Sequence, residues 1–376
     1  MSKVRVLHCL ETVGSGGVEQ RRYSLVKHLG SEFYDQHLLC TKAIGALPGR
    51  IKETGCAISE AGTHRHVFDH KSYSNALRVI RDFKPHIIHG AVFEGVSMAS
   101  VCGRIGRVPI IIGEETSDPQ NRSWRGSLLY RGIISLTHHM VAVSSAVESY
   151  LTNGIHYPAS RVSMIPNGVA QKAKPDEFFV NKLRCELGLT DSDFVIGTVG
   201  RLLDHHKRIS DLLVCLSDVS KSVPNAKLLV VGAGPDEGML WALVNEMQLN
   251  NKVIFVGYQA DPQPYYSLMD IFALASAYEA FGLVLVEAMF NQLPVVATRT
   301  GGIPKVVLEG ETALLSSTYD PEGMAVNINK LYQSPELMKS FGDKALARAR
   351  MEFSEDRYVS DVDVLYRRLL SERGLI

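Results

Sequence analysis

No stretch of this chain is both uncharged and apolar over the ~18 residues that a membrane-spanning helix needs. The longest approach, Gly132 to Val147, is interrupted by His138, His139 and several hydroxyl residues, so no transmembrane helix is expected. The run from Met1 to Leu10 is too short and too charged for a secretory signal and reads as a first strand. No C-x-x-C pair occurs among the six cysteines, Cys9, Cys40, Cys56, Cys102, Cys185 and Cys215. Their scatter through apolar segments fits packed, reduced thiols in a cytoplasmic protein better than disulfides. Neither sign of charge is in excess, since 40 Lys+Arg balance 40 Asp+Glu, whereas a nucleic-acid binder is usually basic. Short repeats and low-complexity tracts are lacking. The expectation is a cytoplasmic protein with no nucleic-acid partner, and peripheral contact at the inner membrane face is left open.

What the chain does have is apolar material for two cores: 45% of its 376 residues are hydrophobic, and two domains are the natural expectation at this length. Short β-rich runs alternate with longer helical patterns, which argues for parallel sheets covered by helices. The first half offers strands at Val4–Leu10, His37–Cys40, His86–Gly90, Pro109–Gly113, Met140–Val143 and Val162–Ile165. The second half offers Phe194–Val199, Lys227–Val231, Lys252–Val256, Ile271–Ala275 and Pro294–Ala297. Most are continuous apolar runs, as expected where both sheet faces are buried. The turn Pro166-Asn167-Gly168 and the polar stretch after it place the boundary between domains 1–170 and 171–354. A helix over 355–376, with Tyr358, Val362, Leu365 and Leu369 in helical period, is expected to pack back on the first domain. Ligands of such sheets sit beyond the carboxyl ends of the strands, so two facing Rossmann-like domains would enclose a cleft.

The strongest chemical signal is the segment from Ser276 to Met289, which carries Glu279, Phe281, Gly282, Leu283, Val284 and Glu287. A strand runs into a loop bearing Glu279, and a helix begins near Gly282. Free amides at Gly282, Leu283 and Val284, with the helix dipole, would suit a diphosphate. Glu287 would accept from a ribose diol, and Glu279 would reach sugar hydroxyls. Two glutamates eight positions apart are ordinary by themselves. The apolar flanks of Glu287 are an unusual setting for a charge without a partner.

The whole stretch resembles the signature of glycosyltransferase family 4, the retaining GT-B enzymes: two glutamates separated by seven residues, an apolar strand, then a Gly-Gly turn, here Leu293 to Gly302. That resemblance implies an α/β GT-B fold and transfer of a hexose or N-acetylhexosamine from a nucleotide sugar, UDP-linked as first choice and GDP-mannose as second. The acceptor would be a glycan or lipid-linked glycan. It also implies no metal or other cofactor, since cationic side chains and helix ends serve the electrostatic role. Arg201 and Lys207, in the loop after Val199, stand where the family carries an Arg and a Lys that stabilise the leaving diphosphate. The family usually has Lys-Gly there, and this chain has Lys207-Arg208.

Weaker signals surround this one. The glycine-rich loop with Gly16 and Gly17 resembles the family's first donor-facing loop. Tyr258 resembles a neighbour of the nucleotide base, although a packed aromatic reads almost as well. On the acceptor side, His89 and Glu115 occupy places where the family often has histidines; a buried structural His89 is an equal reading. The turn Val231-Gly-Ala-Gly-Pro235 fails the G-x-G-x-x-G spacing of a nicotinamide site. Close pairs such as His64 with His66 and His205 with His206 lack a nearby ordered set of carboxylates or cysteines, which argues against a metal. The segment from Arg122 to Arg131 mixes basic, aromatic and aliphatic residues, and reads either as a membrane-surface contact or as an ordinary surface helix. The rival functions are a GT-B nucleotide-sugar epimerase or phosphorylase, a nicotinamide dehydrogenase, and a non-catalytic nucleotide-sugar-binding subunit.

Overall fold

The computed structural model describes residues 3–14, 16–62, 69–117 and 122–376. The chain forms two compact units, Met1–Gly168 with Glu355–Ile376, and Val169–Ser354. The division falls at Gly168, where Pro166 and Asn167 already break the rhythm of the sequence. The C-terminal helix Glu355–Glu372 belongs to the first unit.

The strands of the first unit are β1 (Val4–Cys9), β2 (Thr12–Val13), β3 (Tyr34–Cys40), β4 (Lys42–Ala43), β5 (Ala57–Glu60), β6 (Ile87–Ala91), β7 (Ile110–Glu115), β8 (His139–Ala142) and β9 (Val162–Met164). Seven of them make one parallel sheet in the order β5-β3-β1-β6-β7-β8-β9; β2 and β4 pair separately. Its central strands are buried along their whole length, as with Ile110 to Glu115. Tyr358, Val362, Leu365, Tyr366 and Leu369 of the C-terminal helix pack in one cluster with Val4, Ile87 and Ile112 of this sheet. Burying such a face removes roughly 1.5–3 kcal/mol of apolar exposure per large side chain, which anchors the returning helix.

The second unit has β10 (Phe194–Val199), β11 (Ala226–Val231), β12 (Val253–Phe255), β13 (Ile271–Leu274), β14 (Val295–Thr298) and β15 (Ala313–Ser316). They form a parallel sheet ordered β12-β11-β10-β13-β14-β15. The order reverses between β10 and β13, the switch point at whose carboxyl ends sheets of this kind hold their ligands. Besides the short β2 and β4, two strands of the larger sheets escaped the sequence pattern. Ala57-Ile-Ser-Glu60 is a half-exposed edge, and Ala313-Leu-Leu-Ser316 is a four-residue edge following Gly310; both are held by a neighbour's hydrogen bonds rather than by a long apolar run.

Candidate active site

In the second unit three strand-end loops are stitched together. The Ala277 amide donates to the His206 carbonyl at 2.9 Å, and the Gly302 amide donates to the Glu279 carbonyl at 2.8 Å. Thr298 and Thr300 donate their hydroxyls to the carbonyls of Ser276 (2.6 Å) and Ala277 (3.0 Å). The loops after β10, β13 and β14 therefore form one rigid rim. Gly232 completes it from the β11 side: at φ 141°, a Cβ there would lie 1.8 Å from the Gly200 carbonyl oxygen, so only glycine allows the approach.

Lys207 and Glu279 meet on this rim. Nζ lies 2.5 Å from Oε2, with both side chains largely shielded from solvent, and the Ser276 hydroxyl donates to the same carboxylate at 3.4 Å. Charges in so dry a setting act more strongly than in water. The short helix Asp204–Lys207 is held by Asp204, whose carboxylate accepts from the Ser210 amide (2.8 Å) and hydroxyl (2.7 Å). Arg208 then links it to the helix Ile209–Ser222 at φ 51°, ψ 46°, a left-handed conformation that suits glycine. Its side chain forks onto Asp211, with Nη2 2.6 Å and Nε 3.0 Å from the two oxygens, and its guanidinium lies 5.0 Å from the Tyr319 ring centroid. The Lys-Arg departure from the family's Lys-Gly thus keeps the backbone that glycine would adopt.

Gly282, at φ 94°, turns the chain into the helix Leu283–Phe290. Among the described residues no backbone acceptor serves the amides of Gly282, Leu283 and Val284, as expected for a helix start. Leu283 and Val284 are half-buried. The Phe281 side chain turns inward and meets Phe353 edge-on, with ring centroids 5.6 Å apart, so its contribution to a ligand would come through its backbone. Glu287 accepts a 2.7 Å hydrogen bond from the Tyr266 hydroxyl. Burial first, and then the neighbouring Glu287, push the Tyr266 phenol well above its usual pKa, so it stays a donor. Arg201 is exposed at the end of β10 and has no acidic partner among the described residues. Tyr258 is exposed on the loop after Gly257.

The residues expected from the first unit behave differently. Gly16 caps the helix Gly17–His28, and the Glu19 carboxylate folds back to it, where a Cβ on Gly16 would stand 2.3 Å from Oε2. Glu19 also accepts from Thr12 at 3.2 Å, and burial raises its pKa. An acid thus already occupies this helix start. His89 has no exposed surface. Its Nδ1 lies 2.7 Å from the Tyr366 hydroxyl, and its Nε2 lies 3.4 Å from Glu114. The acceptor-contact expectation for His89 is corrected here to the buried structural one, because the C-terminal helix covers it. Glu115 is also buried and is paired with Arg122 at 2.9 Å. Neighbouring Glu114 is ion-paired with fully buried Arg22 at 2.5 Å. Sequence reasoning missed Tyr266, Asp211 and this Arg22–Glu114 pair; Arg22 and Glu114 lie 92 positions apart with no local signal. His64 and His66 lie outside the described residues, among which no three potential metal ligands cluster.

The family model described as glycosyl transferases group 1 matches residues 180–348, and that described as glycosyltransferase family 4 matches residues 15–172. The chain is 29% identical to an N-acetyl-alpha-D-glucosaminyl L-malate synthase of Bacillus anthracis over 60% of its own length and 59% of the relative's. It is 24% identical to an alpha-monoglucosyldiacylglycerol synthase of Acholeplasma laidlawii over 56% and 54%. The chain therefore spans less than two thirds of these relatives. In fold it resembles Anabaena Alr3699/HepE, solved in complex with UDP-glucose, with a TM-score of 0.86 at 20% identity over 97% of this chain and 99% of that one.

Proposed function

The chain belongs to glycosyltransferase family 4, of the GT-B class, and from that premise we propose that it moves a hexose or N-acetylhexosamine from a UDP-linked donor to a glycan or lipid-linked acceptor, with retention of the anomeric configuration. The observation that carries the proposal is the Lys207–Glu279 pair at 2.5 Å, set beside the open helix start at Gly282 on one rim. Cleavage of a nucleotide sugar develops negative charge on the departing diphosphate. Lys207, Arg201 and the amides of Gly282, Leu283 and Val284 supply positive ends for that charge, fixed in advance by the fold. Glu279 holds Lys207 and orients sugar hydroxyls. Glu287, its carboxylate steadied by Tyr266, accepts from the ribose. The acceptor attacks from the face the diphosphate leaves, and the leaving phosphate takes the acceptor proton.

The donor choice is supported by the solved relative with UDP-glucose, and the sugar class by the glucosaminyl and glucosyl products in the two relatives' names. The test is incubation with UDP-glucose, UDP-N-acetylglucosamine and GDP-mannose, each with and without saccharide and lipid-linked acceptors. Mass spectrometry should show acceptor extension, and proton coupling constants an α-anomer. A changed sugar nucleotide in the absence of acceptor would point instead to an epimerase, and ligand binding with no turnover to a non-catalytic subunit.

A peripheral membrane contact is part of the proposal. The helix Trp124–Ile134 exposes Trp124, Leu128 and Leu129 beside exposed Arg125 and Arg131, and carries no acidic residue. That mixture suits the interface of an anionic bilayer.

A further inference from the structure

At the opposite end of the first sheet from the strand-end loops lies a cavity of about 320 Å³. It opens at the amino ends of β7, β8 and β9, which begin at Ile110, His139 and Val162. The end of the C-terminal helix closes one side with Arg368, Glu372 and Arg373, and the turn before β9 brings Arg161. Three arginines thus face one glutamate. That glutamate is weakly engaged, 3.9 Å from Arg368, and Arg161 and Arg373 have no ion-pair partner among the described residues. Like charges gathered at a cavity repel one another and cost stability, which an anion would offset.

The histidines of this cavity are wired as neutral groups. His138 takes a hydrogen bond on Nδ1 from the Ile111 amide at 2.9 Å, leaving its Nε2 as a donor. Arg368 Nη2 lies 3.4 Å from His139 Nε2, and since a guanidinium only donates, that nitrogen is an acceptor and takes the Ser163 hydroxyl proton at 2.9 Å; Arg368 also donates to Ser163 at 3.3 Å. Burial first, then Arg104, Arg373 and Arg161, lower His138 to about 4. Burial, Arg368 and His89 lower His139 to about 4. No carboxylate offsets these arginines at either ring, and Glu372 is the one acid lining the cavity.

We propose that this cavity binds a phosphorylated ligand, of phosphate or diphosphate size, at a site separate from the strand-end loops that carry the candidate active site. Arginine is the side chain best shaped for such oxyanions. A bound dianion would raise His138 and His139 from about 4, so proton uptake accompanies binding and grows as pH falls toward that value. The ligand is either a free phosphorylated compound or a phosphomonoester lipid headgroup.

The test is calorimetry of the full chain with inorganic pyrophosphate, in two buffers of different ionisation enthalpy. Arg161→Gln/Arg373→Gln should weaken binding at least ten-fold. Glu372→Gln, at an exposed helix end, should tighten it several-fold. Lys207→Ala should leave this binding component in place, which separates it from any diphosphate binding at the candidate active site. Flotation with phosphatidate-containing against phosphatidylcholine vesicles distinguishes the sources: retention of the first alone, lost in the double arginine variant, assigns a lipid headgroup. Pyrophosphate and vesicle binding unaltered by both the arginine and the glutamate substitutions, in variants with wild-type urea midpoints, would overturn the proposal.

Discussion

The Arg208 guanidinium grips the Asp211 carboxylate with two nitrogens, at 2.6 and 3.0 Å, while its own backbone sits in the left-handed region at φ 51°. A non-glycine residue there carries a strain of about 1–2 kcal/mol, and a partly exposed fork returns at most about 1 kcal/mol. Arg208→Ala loses the fork and keeps the strain, whereas Arg208→Gly loses both. In urea unfolding the glycine variant should therefore be more stable than the alanine variant by about 1 kcal/mol. Equal stability of the two would show that the loop is unstrained.

Lys207 and Glu279 are each other's partner and, in the proposed reaction, face developing charge. Lys207→Ala should lower kcat by ~10²–10³, with a smaller change in donor KM. Glu279→Gln should act in the same direction, since it unpairs Lys207. A variant that raised KM alone would mean that the pair serves ground-state binding only.

Tyr266 donates to Glu287 at 2.7 Å from a fully buried position. Glu287→Ala should weaken UDP binding by ~10-fold, equivalent to about 1.4 kcal/mol. Tyr266→Phe should weaken it by a smaller factor, because the carboxylate remains but is less well held. Calorimetry reads both, and an unaltered affinity in the alanine variant would remove the ribose role.

Acid should destabilise the fold in two stages. His89 is lowered to about 4 by burial and by Arg22, and His138 and His139 are lowered to the same value. Each is neutral when folded and protonates in the unfolded chain below about 6.5. Stability is thus complete above 6.5 and falls between 6.5 and 4, by up to ~1.4 kcal/mol per pH unit for each histidine. For Glu114, burial acts to raise the pKa, but Arg22 and His89 outweigh it and lower it to about 2. Its contribution is present above about 4.5 and disappears as pH falls toward 2. Urea midpoints between pH 7 and 4 should drop steeply, and His89→Gln should flatten the slope. A flat wild-type profile would contradict neutral histidines in the native state.

The face carrying Trp124 should respond to lipid. With Trp241→Phe in place so that Trp124 reports alone, anionic vesicles should shift its fluorescence to the blue and neutral vesicles should not. Arg125→Gln/Arg131→Gln should reduce the shift. If neutral and anionic vesicles act alike, the arginines have no part in the contact.

Eleven strands were legible, most of them as local apolar runs, because both faces of a central parallel strand are buried, and burial of that kind writes itself into consecutive residues. The loop chemistry at Glu279, Gly282 and Lys207 was equally readable: a helix start, a left-handed turn and an acid at fixed spacing are properties of a few neighbouring residues. The edge strands at Ala57 and Ala313 were not, since they are specified by a neighbour's ladder more than by their own side chains. His89 could not be settled either. In sequence it is a histidine at a strand end, open to an acceptor or to a core, and its burial depends on Tyr366, 277 positions away.

What the chain determined alone was the alternation of strand and helix, the break near Gly168 and the family of the rim chemistry, all of them consequences of periodicity and short-range conformation. Tertiary packing decided which acid answers which base: Lys207 to Glu279, Tyr266 to Glu287, Arg22 to Glu114. Those pairings join segments 72, 21 and 92 positions apart, and only the folding of the sheets brings such groups within the few ångströms where charge and hydrogen bonding act.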